Sequence, residues 1–133
     1  MAVQRTAVNP WDWSVAMGFN QGEVVTGQTR TLYCSGQTAM NAEGKPEHAG
    51  DLAAQLALSL DNLEAVLAEA GMSLANLVRL NVYTTDVDLL FQHYGVLAAR
   101  LGAARVAPTT TMLGVTRLAV PDLVVELEGT AVA

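Results

Sequence analysis

"NLVRLNVYTT", from Asn76 to Thr85, alternates apolar and polar residues. Val78, Leu80 and Val82 fall on one face, and Arg79, Asn81 and Tyr83 on the other. A strand with that period has one face in a core and one face elsewhere. The residues around it decide the fold. Upstream, Leu52, Leu56, Leu60, Leu63, Leu67 and Ala70 recur at steps of three and four, a helical stripe. Asp51 stands where an N-cap belongs, and Gly71 where a C′ residue ends the helix. Downstream, Asp86 or Asp88 caps a second helix with the stripe Leu90, Tyr94, Leu97 and Leu101, closed by Gly102. Gly95 inside it lowers helix propensity and leaves room for close packing.

Outward from this centre the chain reads as β. "EVVTG" (Glu23 to Gly27) and "TRTLYCSG" (Thr29 to Gly36) are two short strands with a turn signal between them. Thr31, Tyr33 and Ser35 share one face of the second, Leu32 and Cys34 the other. "MNAEGKP" is a turn. At the far end, "TTTMLGVTRL" is one strand, Pro121 and Asp122 a turn, and "LVVELEGTAV" the closing strand. Residues 1–20 read as an irregular segment. The order β-β-α-β-α-β-β predicts one α+β domain over residues 1–133, its helices on one face of a mixed sheet. No helix is left for the other face, and a second subunit is the expected cover.

Composition agrees. Only 15% of the 133 residues are charged, while 51% are hydrophobic. Burial in an oligomer reconciles those values with solubility. The net charge is −6, and neither half of the chain is basic, with 3 basic and 7 acidic residues in the first 66. Nucleic acid and anionic membrane both call for a basic surface, so neither is an expected partner. One cysteine and two distant histidines give no disulfide and no metal-ligand motif. No cofactor or metal is expected. With no signal sequence or spanning segment in view, the expected location is the cytoplasm.

Four pieces carry a resemblance: "SGQT" (Ser35 to Thr38), "LDNLEAVLAEAG" (Leu60 to Gly71), "VRLNVYTTDVD" (Val78 to Asp88) and "RLAVPDLVVELEGTAV" (Arg117 to Val132). In this order the chain, from Gly27 onward, resembles the Rid superfamily, the reactive intermediate deaminases also called YjgF-like proteins. The resemblance implies a chorismate-mutase-like fold and a homotrimer with small-molecule pockets in its intersubunit clefts. It implies hydrolysis of imines and enamines to carbonyl compounds and ammonia, without a cofactor.

The same resemblance assigns residues. Glu126 matches the pocket glutamate that positions or activates water. Ser35 and Gly36 match the loop that contacts substrate. Met112 stands where cysteine is common, Tyr94 where asparagine is common, and Phe19 is placed as the aromatic cover of the pocket. Arginine-bearing members grip a substrate carboxylate two residues after a strand-entry proline; here Pro108 is followed by Thr109, Thr110 and Thr111, and Thr110 holds the arginine's place. Arg105 lies outside that register, and Arg117 matches a different basic position. The pocket so read is apolar, with Thr109–Thr111 hydroxyls in place of a cationic clamp.

Other reactive residues have plainer readings. Cys34 lacks a cationic neighbour and reads as a packed residue. Ser35 is not in a nucleophile elbow. Lys45 sits in a polar turn, His93 on a helix surface or interface, and Glu128 on a strand face two residues from Glu126. Trp11 and Trp13 either pack on the body or lid a pocket. The functional expectations are an imine or enamine hydrolase weak toward 2-iminopropionate, or a non-catalytic metabolite-binding trimer. A ribonuclease, an activity attributed to some Rid members, is disfavoured by the acidic balance.

Overall fold

A computed structural model describes residues 2–133. Its centre is the stretch read first. β4 (Leu77–Thr84) lies in a four-stranded sheet of order β3-β6-β4-β5, where β3 is Thr31–Tyr33, β5 is Thr109–Gly114 and β6 is Val125–Val132. β6 runs antiparallel to both β3 and β4, and β5 runs parallel to β4. The sheet is therefore mixed. Helices α2 (Leu52–Glu69), α3 (Val87–Gln92) and α4 (Tyr94–Ala103) complete the main fold, with α2 packed on β6 and α4.

The core forms as the stripe predicts. Leu56, Leu60, Leu63 and Leu67 of α2 are fully buried beside Leu77, Leu80, Val82, Val125 and Leu127. Each such side chain contributes roughly 1.5–3 kcal/mol of transfer free energy. Asp51 caps α2, accepting the Ala54 N–H at 3.0 Å, and Gly71 follows it with φ +74°. Gln55 and Ser59 are the polar residues on the buried face of α2, and Ser59 donates to the Gln55 carbonyl oxygen. Gln55 makes the longer-range bonds. Its amide donates to the His48 and Asp122 carbonyl oxygens, and its oxygen accepts the Val124 N–H, so it fastens α2 to the entrance of β6.

Several expectations need correction. Residues 1–20 are not irregular: β1 (Gln4–Val8) pairs antiparallel with β2 (Gly22–Thr26), and a short helix, α1 (Trp13–Ala16), lies between them. The turn signal after β2 does not make a hairpin with β3, because β2 pairs with β1 and β3 with β6. Arg5 secures the β1–β2 ribbon, bonding Glu23 and the Ala75 and Leu77 carbonyl oxygens. Val78 does not share the core face of Leu80. A bulge between Leu77 and Arg79 inserts one residue, so Leu77 is buried and Val78 is displaced.

The second helix is two helices. Asp86 caps α3 through the Leu89 N–H, and His93 interrupts the run before α4 begins. Gly95 has open space where a β-carbon would be, so it serves no close packing. Gly102 lies inside α4, and the chain turns at Arg105, with φ +54°. The predicted long strand stops at Gly114. Arg117 lies in the following loop, where its guanidinium donates to the Leu118 and Ala119 carbonyl oxygens. No helix is long and apolar enough to cross a membrane among the described residues.

Candidate functional site

Glu126 lies opposite Tyr83 in the β4–β6 ladder, on the sheet face away from the helices. Its side chain extends over the neighbouring β3 segment, which is shaped to receive it. Cys34 donates its N–H to Gly129 and Gln37 donates to Leu127, so Ser35 and Gly36 together stand opposite the single residue Glu128. This is the count of a β-bulge, a device that re-aims backbone next to functional groups. The bulge brings Gly36 beneath the carboxylate. A β-carbon at position 36 would stand 1.8 Å from Glu126 Oε1 and 2.7 Å from Cδ. A β-carbon there would displace the Glu126 carboxylate, and the N–H groups of Ser35 and Gly36 have no partner among the described residues.

The electrostatics are set by the same face. Burial, then the nearby Glu128 carboxylate, pushes the Glu126 carboxyl above its ordinary range. Glu128 is itself fixed: its Oε1 accepts from Asn81 Nδ2 at 2.9 Å and from the Tyr83 hydroxyl at 3.0 Å. That hydrogen bond, with burial and the adjacent acids, holds the Tyr83 phenol protonated to higher pH than usual, against an opposing effect of Arg79. Arg79 shares the face and donates to Thr111 Oγ1 at 2.6 Å.

The remaining expected residues gather elsewhere. Phe19, Tyr94, Thr110 and Met112, with Met17 and Phe91, line a cleft of about 160 Å³ on the helix side of β5. The β4–β5 register explains why. Thr110 pairs with Leu80 and Met112 with Val82, both core-facing residues, whereas Thr109 and Thr111 pair with Arg79 and Asn81 on the open face. The three threonines therefore divide. Thr109 donates to the Val78 carbonyl oxygen and Thr111 accepts from Arg79, while Thr110 alone enters the cleft. Glu126 and Thr110 lie on opposite faces of one sheet, so a single chain does not bring them together.

A family profile described as endoribonuclease L-PSP matches residues 13–133. The crystal structure of YyfB from Yersinia pestis, assigned to the conserved Rid protein family, superimposes with a TM-score of 0.84 at 33% identity, over 97% of this chain and 98% of that one. The chain belongs to the Rid superfamily. A second Rid relative, the RutC family protein YjgH of Escherichia coli strain K12, is 30% identical over 88% of each chain. Escherichia coli TdcF, solved with bound serine, matches with a TM-score of 0.70 at 26% identity, over 96% of this chain and 91% of that one. The mixed sheet with helices on one face is thus the YjgF-like fold.

On this Rid scaffold neither spare arginine reaches Thr110. Arg117 is engaged with its own loop. Arg105 lines a different cleft, with Arg5, Asn20 and Glu23. Cys34 is buried, and burial raises its thiol pKa, which suits an unreactive packed residue. No cluster of metal-ligating side chains occurs among the described residues. Trp11 and Trp13 are exposed, and Trp13 packs edge-on against Phe19 with centroids 5.9 Å apart, at the rim of the Thr110 cleft. Arg79, Asn81 and Tyr83 were legible only as the polar face of β4. Their link to Glu128 depends on cross-strand register, which no local pattern encodes.

Proposed function

We propose that the chain is a single Rid domain that assembles as a homotrimer and hydrolyses neutral imines, enamines or related carbonyl compounds in sites built from two subunits. One subunit supplies Glu126, Ser35 and Gly36; its neighbour supplies Thr110, Met112, Tyr94 and Phe19. The observation that carries the reading is the seating of Glu126 on Gly36, a carboxylate of raised proton affinity beside two unpartnered N–H groups. The serine bound in TdcF supports a small-molecule occupant.

The chemistry follows from those groups. Glu126 takes a proton from water as the water oxygen bonds to the imine carbon. The C=N π bond becomes the nitrogen's lone pair, and that nitrogen takes the proton Glu126 has just collected, which gives a neutral carbinolamine and returns the carboxylate. Glu126 then takes the carbinolamine hydroxyl proton and passes it to the nitrogen, so that the C–N bonding pair leaves with ammonia or amine as the oxygen forms the carbonyl. The Ser35 and Gly36 N–H groups stabilise negative charge on the developing oxygen. Thr109 and Thr111, on the open face, are better read as bonds that hold β5 and Arg79 than as substrate contacts. Without a cation beside Thr110, a substrate carboxylate has no partner, so 2-iminopropionate is a poor substrate.

The absence of a clamp equally favours a non-catalytic metabolite-binding trimer. Imine turnover coupled to ammonia detection separates the two. Turnover abolished by Glu126→Gln supports the hydrolase; ligand binding without turnover, unaffected by Glu126→Gln, supports the binding protein. The net charge of −6 weighs against a nuclease in spite of the family profile's description.

A further inference from the structure

We infer that the Thr110 cleft is a subsite for one aromatic or similarly bulky apolar ring carrying an N–H or O–H donor, and that it rejects carboxylates. This deepens the proposed function by naming the substrate class of the same site. Three observations carry it.

The first is size. The cleft holds about 160 Å³, and an apolar cavity of about 150 Å³ accommodates a benzene ring. The second is the lining. Phe91 and Tyr94 form one wall, their centroids 6.3 Å apart and their planes tilted by 33°. Met17 and Met112 complete it with thioethers that adapt to aromatic faces. None of the six lining residues is charged.

The third is the direction of the hydroxyls. Both polar side chains of the cleft already donate inward. The Tyr94 hydroxyl donates to the Met17 carbonyl oxygen at 3.1 Å, and the Thr110 hydroxyl donates to the Pro108 carbonyl oxygen at 2.8 Å. A hydroxyl has one hydrogen and two lone pairs. Toward a ligand, both therefore present lone pairs. An ionised carboxylate also presents only lone pairs, and it would be desolvated there without compensation. An amide, an amine-derived N–H or an alcohol completes the network.

Phenylacetamide and phenylacetate test this as a matched pair, with acetamide as the ringless control. Each is titrated calorimetrically into the full-length protein. Phenylacetamide is expected to bind at least about tenfold tighter than either of the others, since desolvating an unpaired carboxylate or leaving one ring unburied exceeds that ratio. Thr110→Val, which keeps shape and removes the acceptor, is expected to weaken phenylacetamide about fivefold. Thr110→Arg is expected to reverse the preference toward phenylacetate. Equal or tighter binding of phenylacetate by the unaltered protein, or no binding of any probe, overturns the inference. The readout needs no turnover. Lost preference with imine hydrolysis intact overturns the subsite alone, and intact preference without hydrolysis overturns the catalytic reading alone.

Discussion

The Glu126 carboxylate occupies the space where residue 36 would carry a β-carbon, 1.8 Å from Oε1. The two residues are ninety positions apart and fit each other as side chain and socket. The far end of a flexible side chain is what an added methyl would displace, not backbone. Gly36→Ala is therefore expected to cost little stability, under about 1 kcal/mol, yet to lower imine turnover by at least about tenfold through misplacement of Glu126. Thermal denaturation and the ammonia assay on the same variant check both halves. A large loss of stability would mean that Gly36 serves the backbone instead.

The raised pKa of Glu126 sets the sign of its effect on stability. Its carboxyl holds a proton to higher pH in the folded state than in the unfolded state. The folded state then binds more protons across the carboxylate range, so stability is fully present below the unfolded pKa and is lost as pH rises through the folded one. Glu126→Gln removes that loss. Its melting temperature should match the parent at low pH and exceed it at neutral pH, even though the variant is expected to lose turnover. Parallel curves at all pH values would contradict the assignment.

Glu128 is expected to tune Glu126 without touching substrate. Glu128→Gln removes the charge but keeps an acceptor for Asn81 and Tyr83. A neighbouring negative charge raises a carboxylate's pKa, so its removal lowers it. The acidic limb of the rate profile, where a general base loses its proton acceptor role, should move to lower pH while the fold persists. An unmoved limb would leave Glu128 a structural residue only.

The α2 stripe, the Asp51 cap and the buried face of β4 were legible from sequence because they depend on local period and on backbone groups a few residues away. The pairing of β2 with β1, and the bulge that exchanges Val78 for Leu77, were not, because strand partners and register are settled by tertiary contacts. The three threonines illustrate the same limit. As a row they suggested one polar wall; the register with β4 sends only Thr110 into the cleft. Family resemblance supplied Glu126 and Gly36 as separate positions, while the contact that makes them one unit became visible in three dimensions. Gln55 carried no signal, since a polar residue among leucines reads as exposed until its partners at His48, Asp122 and Val124 are seen.

Gln55 consequently makes a stability prediction that stripe reading reverses. Gln55→Leu would look favourable on an apolar face. It strips a partner from the part-buried Val124 N–H and from two carbonyl oxygens, and is expected to cost roughly 1–3 kcal/mol. Urea denaturation measures this directly. A neutral or stabilising change would show that those backbone groups find water or other partners.

Thr110 makes the specificity prediction. Thr110→Arg restores a guanidinium at the position where Rid deaminases hold a carboxylate, and turnover of 2-iminopropionate should rise by about tenfold or more. Turnover that stays flat would mean that the cleft's Met112, Tyr94 and Phe19 exclude the substrate for reasons of shape.

The central claim is that each site draws Glu126 from one subunit and the Thr110 cleft from another, and subunit mixing tests it most directly. Glu126→Gln and the cleft-filling Met112→Trp are each expected to be inactive alone. Co-expressed in equal amounts, they should assemble at random, leaving about one site in three intact in each mixed trimer and about one quarter of sites intact over the whole population, and imine hydrolysis should return to about one quarter of the parent rate. Mixed trimers that remain inactive, while the parent trimer hydrolyses the same imine, would contradict the account.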